Sequence, residues 1–156
     1  MTEIDHILDQ LERSRRGEAW HGPSLEEALA NIDAATAAAR PISNAHTIWE
    51  LALHMASWQD VVRRRLAGEE VVPTPTLDWP EADEASEAAW ASALAALRTS
   101  RRRLERDVAD LSPASLHEAP RPGEVTRYAL LHGIIQHDLY HVGQIALLEK
   151  AARARA

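Results

Sequence analysis

The sequence predicts an all-α fold: an antiparallel four-helix bundle with a short extra helix between the first and second main helices. Three features of the chain predict it. Ala, Leu, Glu and Arg dominate, and these residues favour helix. No run alternates apolar and polar residues with period two, and no Asn-Gly or Asp-Gly hairpin turn occurs. Two capping boxes, Ser24-Leu25-Glu26-Glu27 and Thr47-Ile48-Trp49-Glu50, mark helix starts. A length of 156 residues, with 46% hydrophobic and 26% charged residues, suits one domain with one core, spanning residues 1–156.

The first main helix is expected from about Thr2 to Arg16, with Ile4, Ile7, Leu8 and Leu11 on one stripe and a stop near Gly17. A loop at Ala19-Trp20-His21-Gly22-Pro23 leads to the short helix at Ser24 to Asn31. A further turn starts at Asp33 and finishes by Arg40, because the residue before Pro41 is pushed out of the helical region. The second main helix runs from Thr47 to about Ala67 and is ended by Gly68. Pro73, Pro75 and Pro80 mark an extended connection. The third helix is expected over about Glu81 to Leu111, with Ala89, Leu94, Leu97, Leu104, Val108 and Leu111 inward. Its run Arg101-Arg102-Arg103, with Glu105 and Arg106, reads as a solvated face. The fourth helix follows a Pro-bearing loop and covers about Thr126 to Arg153.

Charge and composition exclude several functions. The net charge of −7 argues against sequence-independent nucleic-acid binding, which needs a cationic footprint. With no cysteine there are no disulfides, thiolate nucleophiles, iron–sulfur clusters or Cys-type zinc sites. The first residues carry acidic charge and start no apolar run, so no signal peptide is expected. No stretch approaches the roughly 18 apolar residues of a membrane span. The expectation is a soluble, cytoplasmic protein that binds neither membrane nor nucleic acid. There is no His-Glu-x-x-His, no pair of Glu-x-x-His motifs, no glycine-rich phosphate loop and no Gly-x-Ser-x-Gly elbow.

The histidines carry the remaining chemistry. At about 100° per residue, His137 and His141 lie about 40° apart on the fourth helix, one turn above the other. Leu130, Ile134, Ile145 and Leu148 share their stripe, so both imidazoles point inward. Buried polar groups left unsatisfied cost on the order of 1–3 kcal/mol each. Two readings stay open for such a pair: core histidines bonded to other side chains or water, or two ligands of one divalent ion. His54 lies on the stripe of Leu51, Trp58, Val61 and Val62 in the second helix and also points inward. Three inward histidines from two packed helices favour the metal, in the three-histidine arrangement of a catalytic rather than a structural site. His132 is about 140° around the helix from His137 and should miss it. His46 precedes the capping box, His6 and His117 read as surface residues, and His21 is ambiguous. Glu50, one turn before His54, is either the closing residue of its capping box or a group that touches the site. Asp138, Tyr140 and Gln144 flank the histidine stripe and are candidates to contact the ligands or a substrate, as is His21.

A second apolar stripe on the fourth helix, Leu131, Ile135, Leu139, Val142 and Ala146, implies burial on two sides. A neighbouring helix or a second subunit would cover it, and a homodimer is the expectation.

These landmarks resemble the DinB-like family of metal-binding four-helix bundles over nearly the whole chain. They are Ala19-Trp20-His21-Gly22-Pro23-Ser24-Leu25, His46-Thr47-Ile48-Trp49-Glu50-Leu51 running into His54, Asp78-Trp79-Pro80, and Gln136-His137-Asp138-Leu139-Tyr140-His141-Val142-Gly143-Gln144-Ile145. The family's metal triad places one histidine on the second helix and two, four apart, on the fourth; His54, His137 and His141 match these one for one. The resemblance implies one divalent metal ion per chain, zinc or nickel, with water completing the shell, and frequent homodimers. It also implies small-molecule substrates. Relatives include enzymes that use a low-molecular-weight thiol, as S-transferases or thiol-dependent isomerases, and proposed metal-dependent hydrolases. The expected function is activation of a low-molecular-weight thiol at the three-histidine site for transfer to an electrophile. The alternatives are a hydrolase whose nucleophile is metal-bound water, and a non-enzymatic, stress-related metal or small-molecule binding protein.

Overall fold

A computed structural model describes residues 1–82 and 84–155, and every described element is helical. Helix α1 spans Glu3–Arg15, with Thr2 and Asp5 forming a capping box at its start and Ile4, Ile7 and Leu11 buried. Two short helices follow, the expected one and a second where a further turn from Asp33 was expected. Helix α2, Leu25–Leu29, is opened by the Ser24–Glu27 box. Helix α3, Ala34–Ala38, is opened by Asp33, whose carboxylate accepts from the Thr36 N–H. Each has its own cap, so the pair cannot merge into one helix.

Helix α4 spans Ile48–Leu66 behind the Thr47–Glu50 box. It ends at Gly68, whose φ of +87° places it in the left-handed region that favours glycine. The connection that follows is not wholly extended. Thr74 accepts from the Leu77 N–H and Pro75 sits in the first turn, which together form the short helix α5, Pro75–Asp78. Helix α6 spans Glu87–Ala109 and starts at Ser86, later than expected. The sequence-predicted start crosses Asp83, which lies outside the described residues. A 3-10 turn at Pro113–His117 precedes helix α7, Arg127–Arg153, capped by Thr126.

The long helices pack as α4 against α6 and α7, and α1 against α6 and α7. Their directions correct the expected antiparallel arrangement. Along α4 and α6, Trp49 meets Trp90, Gln59 meets Ser100 and Arg63 meets Asp107, so these two helices run the same way. Along α4 and α7, His54 meets His141 and Leu66 meets Arg127, so these two run oppositely. The connection between α4 and α6 explains the parallel pair. Helix α4 has 19 residues and is about 28 Å long at 1.5 Å per residue. The segment 67–86 is long enough to run back along it. It does so: Ser57 donates to the Leu77 carbonyl, Trp58 Nε1 donates to Asp78 Oδ1, and Trp79 stacks on His46.

Two apolar clusters fill the interior. One joins α2, α3, the first half of α4, the start of α6 and the end of α7. The other joins α1, the end of α4, the end of α6 and the start of α7. The second apolar stripe of α7 is covered largely within the chain. Leu131 and Ile135 pack with Ile4, Ile7 and Leu11 of α1, and Val142 packs in the cluster that contains α2. Leu139 is partly buried. The face that prompted the expectation of a second subunit therefore has intramolecular partners along most of its length. No helix among the described residues is long and apolar enough to cross a membrane.

Candidate metal centre

The antiparallel contact of α4 with α7 brings His54, His137 and His141 together. One ring nitrogen from each lies within 4.8 Å of the others, and this is the metal-type cluster found among the described residues. His54 Nε2 is 2.9 Å from His137 Nε2, and His141 Nε2 is 3.2 Å from that same atom. His54 and His141 are buried, and the His137 side chain is 25% exposed, so the cluster opens to solvent on the His137 side.

The outer nitrogens fix what the inner ones present. His54 Nδ1–H donates to the Asp78 carbonyl oxygen at 2.5 Å. His141 Nδ1–H donates to Gln144 Oε1 at 2.6 Å. In a neutral imidazole the nitrogen opposite the N–H carries a lone pair, so the Nε2 lone pairs of both rings face His137 Nε2. If His137 Nε2 carries a hydrogen it can serve one of them; if not, three lone pairs converge. Either way an acceptor is left unmatched in a buried place, and a divalent cation would match all of them. The donor set fits a metal on this ground.

Electrostatics favour the same state. Burial holds the His54 imidazole below its ordinary 6.5, and burial, aided by the neighbouring imidazoles, pushes His141 down to about 4. Both rings are uncharged near neutral pH, the form that coordinates.

Two tryptophans and a backbone turn frame the cluster. Helix α5 delivers the Asp78 carbonyl and then Trp79, whose ring lies between His46 at 3.5 Å and His54 at 3.9 Å, centroid to centroid. Trp58, one turn beyond His54, holds the Asp78 carboxylate at 2.8 Å and lies 5.8 Å from the His137 ring. Behind His137 sits a buried network. Asp138 Oδ2 accepts from Arg101 Nη2 and from Gln59 Nε2, both at 2.9 Å. Ser100 donates to Gln59 Oε1 at 2.7 Å, and Arg101 Nη2 donates to Ser14 Oγ at 3.0 Å. The second Asp138 oxygen, Oδ1, lies 3.5 Å from His137 Nδ1, and neither atom has a hydrogen-bond partner.

The other sequence candidates are placed as follows. Gln144 contacts His141 directly, and Asp138 flanks His137. The exposed Tyr140 ring is 5.2 Å from His141. The Glu50 carboxylate is taken up by the Thr47 N–H at 2.8 Å, Arg40 at 2.7 Å and His46 at 3.2 Å; its role is the helix cap and an ion pair. His21 is exposed on a loop beside Gln10, Arg13 and Leu139, and it is outside the histidine cluster. His132 is also outside it, against Tyr128 and 4.0 Å from Glu3.

Sequence reasoning missed Trp79 as a ring against His54, Gln59, and above all Arg101, which is 1% exposed rather than solvated. The signal for Arg101 was available. The buried residues of α6 are Trp90, Ala93, Leu97, Arg101, Leu104 and Val108, with i+3 and i+4 spacing throughout, and Arg101 is on that line.

No curated protein and no solved structure matches the chain. The family model described as the DinB superfamily matches residues 19–145, which includes the segment 75–79 and all three clustered histidines. The chain belongs to the DinB superfamily.

Proposed function

We propose that this protein is a cytoplasmic, divalent-metal-dependent enzyme that activates a low-molecular-weight thiol and transfers it to an electrophile. The observation that supports it most is the convergence of the three Nε2 atoms, with the Nδ1 atoms of His54 and His141 held from behind. His54, His137 and His141 would hold one ion, zinc or nickel, per chain. Such an ion supplies a concentrated positive charge that favours a thiolate over a thiol at neutral pH. The chain has no cysteine, so the sulfur arrives as a small-molecule ligand.

The chain's own residues divide the remaining work. Asp78 through its carbonyl, and Gln144 through its amide oxygen, keep the His54 and His141 lone pairs directed inward. Trp79 covers one face of His54 and excludes water from it. The partly exposed side at His137 and Tyr140 is where the thiol and electrophile would approach. Each of the two carboxylates nearest the histidines has one oxygen held by another side chain, Asp78 Oδ1 by Trp58 Nε1 and Asp138 Oδ2 by Arg101 and Gln59, while Asp138 Oδ1 stays beside His137 Nδ1 at 3.5 Å.

The test is elemental analysis of the untagged protein followed by assay of common thiols with model electrophiles. One equivalent of a divalent metal, and thiol consumption that stops when a chelator removes it, is the expected result. A metal-loaded protein that consumes no thiol with any electrophile would leave the metal site standing and remove the transferase.

A further inference from the structure

A cavity of about 480 Å³ lies between α1, α2 and α6. That volume falls in the range of small-molecule sites. One wall is a cationic face of α6. Arg98, Arg101 and Arg102 stand at i, i+3 and i+4 and so share one side of the helix. Leu25 and Leu29 of α2, and Leu97 of α6 itself, are buried residues that also line the cavity. The carboxylate among the lining residues, Glu26, is held by Arg15 at 3.1 Å. Arg98 and Arg102 have no carboxylate partner among the described residues, in a chain whose net charge is −7.

Arg101 supplies an independent observation. Its side chain is 1% exposed, and Nη2 is engaged by Asp138 and Ser14. Its Nε and Nη1 are buried without any hydrogen-bond partner. A guanidinium stays protonated, so these donors cannot be silenced by losing a proton. Its planar fork matches a carboxylate through two parallel hydrogen bonds. These Arg101 atoms have almost no accessible surface, so an acceptor brought to the α6 wall would meet the exposed guanidinium groups of Arg98 and Arg102, with the Arg101 charge behind them; an inorganic ion would leave the apolar part of the lining unused. We propose that this cavity binds a small organic carboxylate with an apolar body, its carboxylate on the arginines of α6 and its hydrocarbon on Leu25, Leu29 and Leu97. The site lies on the face of α6 turned to α1 and α2, and it does not depend on what the histidine cluster holds.

The experiment is calorimetric titration of the intact chain with octanoate, beside octanol and inorganic phosphate. Octanoate should bind at one per chain and at least tenfold more tightly than either control. Arg98→Ala/Arg102→Ala should weaken it at least tenfold. Both residues are exposed, so the helical circular dichroism of that variant should match the parent. Arg101→Gln removes a buried charge partner and is the less safe variant. No octanoate binding, octanol or phosphate binding as tight as octanoate, or unchanged affinity in the folded double variant would each overturn the proposal.

Discussion

Two polar clusters sit side by side in the interior between α4, α6 and α7, and they solve burial differently. In the Asp138–Arg101–Gln59–Ser100–Ser14 network, charge meets opposite charge and most acceptors meet a donor from the same chain. In the histidine cluster, acceptors meet acceptors. The first pairs a buried cation with a buried anion, although Arg101 Nε and Nη1 and Asp138 Oδ1 stay unbonded, and its loss should be felt as folding stability. The second would be completed by a divalent cation, and its loss should be felt as binding. Burial alone does not separate them, since His54, His141, Asp138 and Arg101 are all buried. The sign and direction of their partners do.

The sharpest way to break the comparison is to remove one member of the first cluster. Arg101→Met leaves the Asp138 carboxylate buried without its cation, which typically costs about 3–5 kcal/mol. Urea unfolding should show that loss, and Arg101→Met/Asp138→Leu should recover much of it. Replacing His54 by Leu in the metal-free protein should cost less than about 1.5 kcal/mol, because the lost Nδ1–H bond to the Asp78 carbonyl is offset by removal of a buried lone pair from the cluster. Similar costs for the two substitutions would erase the distinction.

The second cluster should answer in metal content. Ala in place of His54, His137 or His141 should weaken metal binding at least about 100-fold, since two imidazoles remain and the chain has no cysteine to substitute. His132→Ala should leave occupancy unchanged, because that ring packs at a tilt against Tyr128 and faces Glu3. Equal metal content in the parent and His137→Ala, measured without a histidine tag, would remove the site.

How much of this was legible in the sequence follows the same division. The three histidines were found because helical period places them on apolar stripes, and their clustering needed only that α4 touch α7. The caps at Thr47 and Ser24 fixed helix starts to within a residue because the signal is local. The parallel run of α4 and α6 was hidden: it depends on where the 67–86 segment travels, and that is set by Ser57, Trp58 and His46 docking Leu77, Asp78 and Trp79. The Asp78 carbonyl that orients His54 carries no side-chain signal at all. Arg101 was legible from its place on the apolar line of α6 but was masked by its neighbours. Its neighbours Arg102 and Arg103 are exposed, and a run of like charges reads as one surface although the helix turns about 100° at each step.

A smaller effect should appear with pH in the metal-free protein. The folded-state value of His141 lies near 4, below the 6.5 of the ordinary group, and that of His54 is also lowered. As pH falls, the unfolded chain takes up these protons first, so it is stabilised relative to the fold. The contribution is therefore fully present above about pH 6.5, declines as pH falls through the interval toward 4, and levels off below it. Thermal unfolding across that interval should show the decline, and His141→Leu should flatten it. In the metal-loaded protein, these two buried rings should keep coordinating to lower pH than an ordinary histidine would.

The finest test of the comparison concerns a residue that touches the second cluster without belonging to it. Gln144 accepts from His141 Nδ1–H at 2.6 Å, and nothing else in the described structure holds that hydrogen. Without it the ring is free to rotate or to carry its proton on Nε2, which would turn a lone pair away from the other two histidines. Loss of such an orienting partner typically costs about 10–100-fold in metal affinity. Gln144→Leu should therefore weaken binding by at least about tenfold while the metal-free protein unfolds at nearly the parent urea concentration, because Gln144 is only partly buried. Gln144→Glu keeps an acceptor at the same place and should retain most of the affinity. If Leu and Glu at this position bind metal equally well, the inner lone pairs are held by packing against the neighbouring rings rather than by the hydrogen bond, and the outer nitrogens do not set the direction of the site.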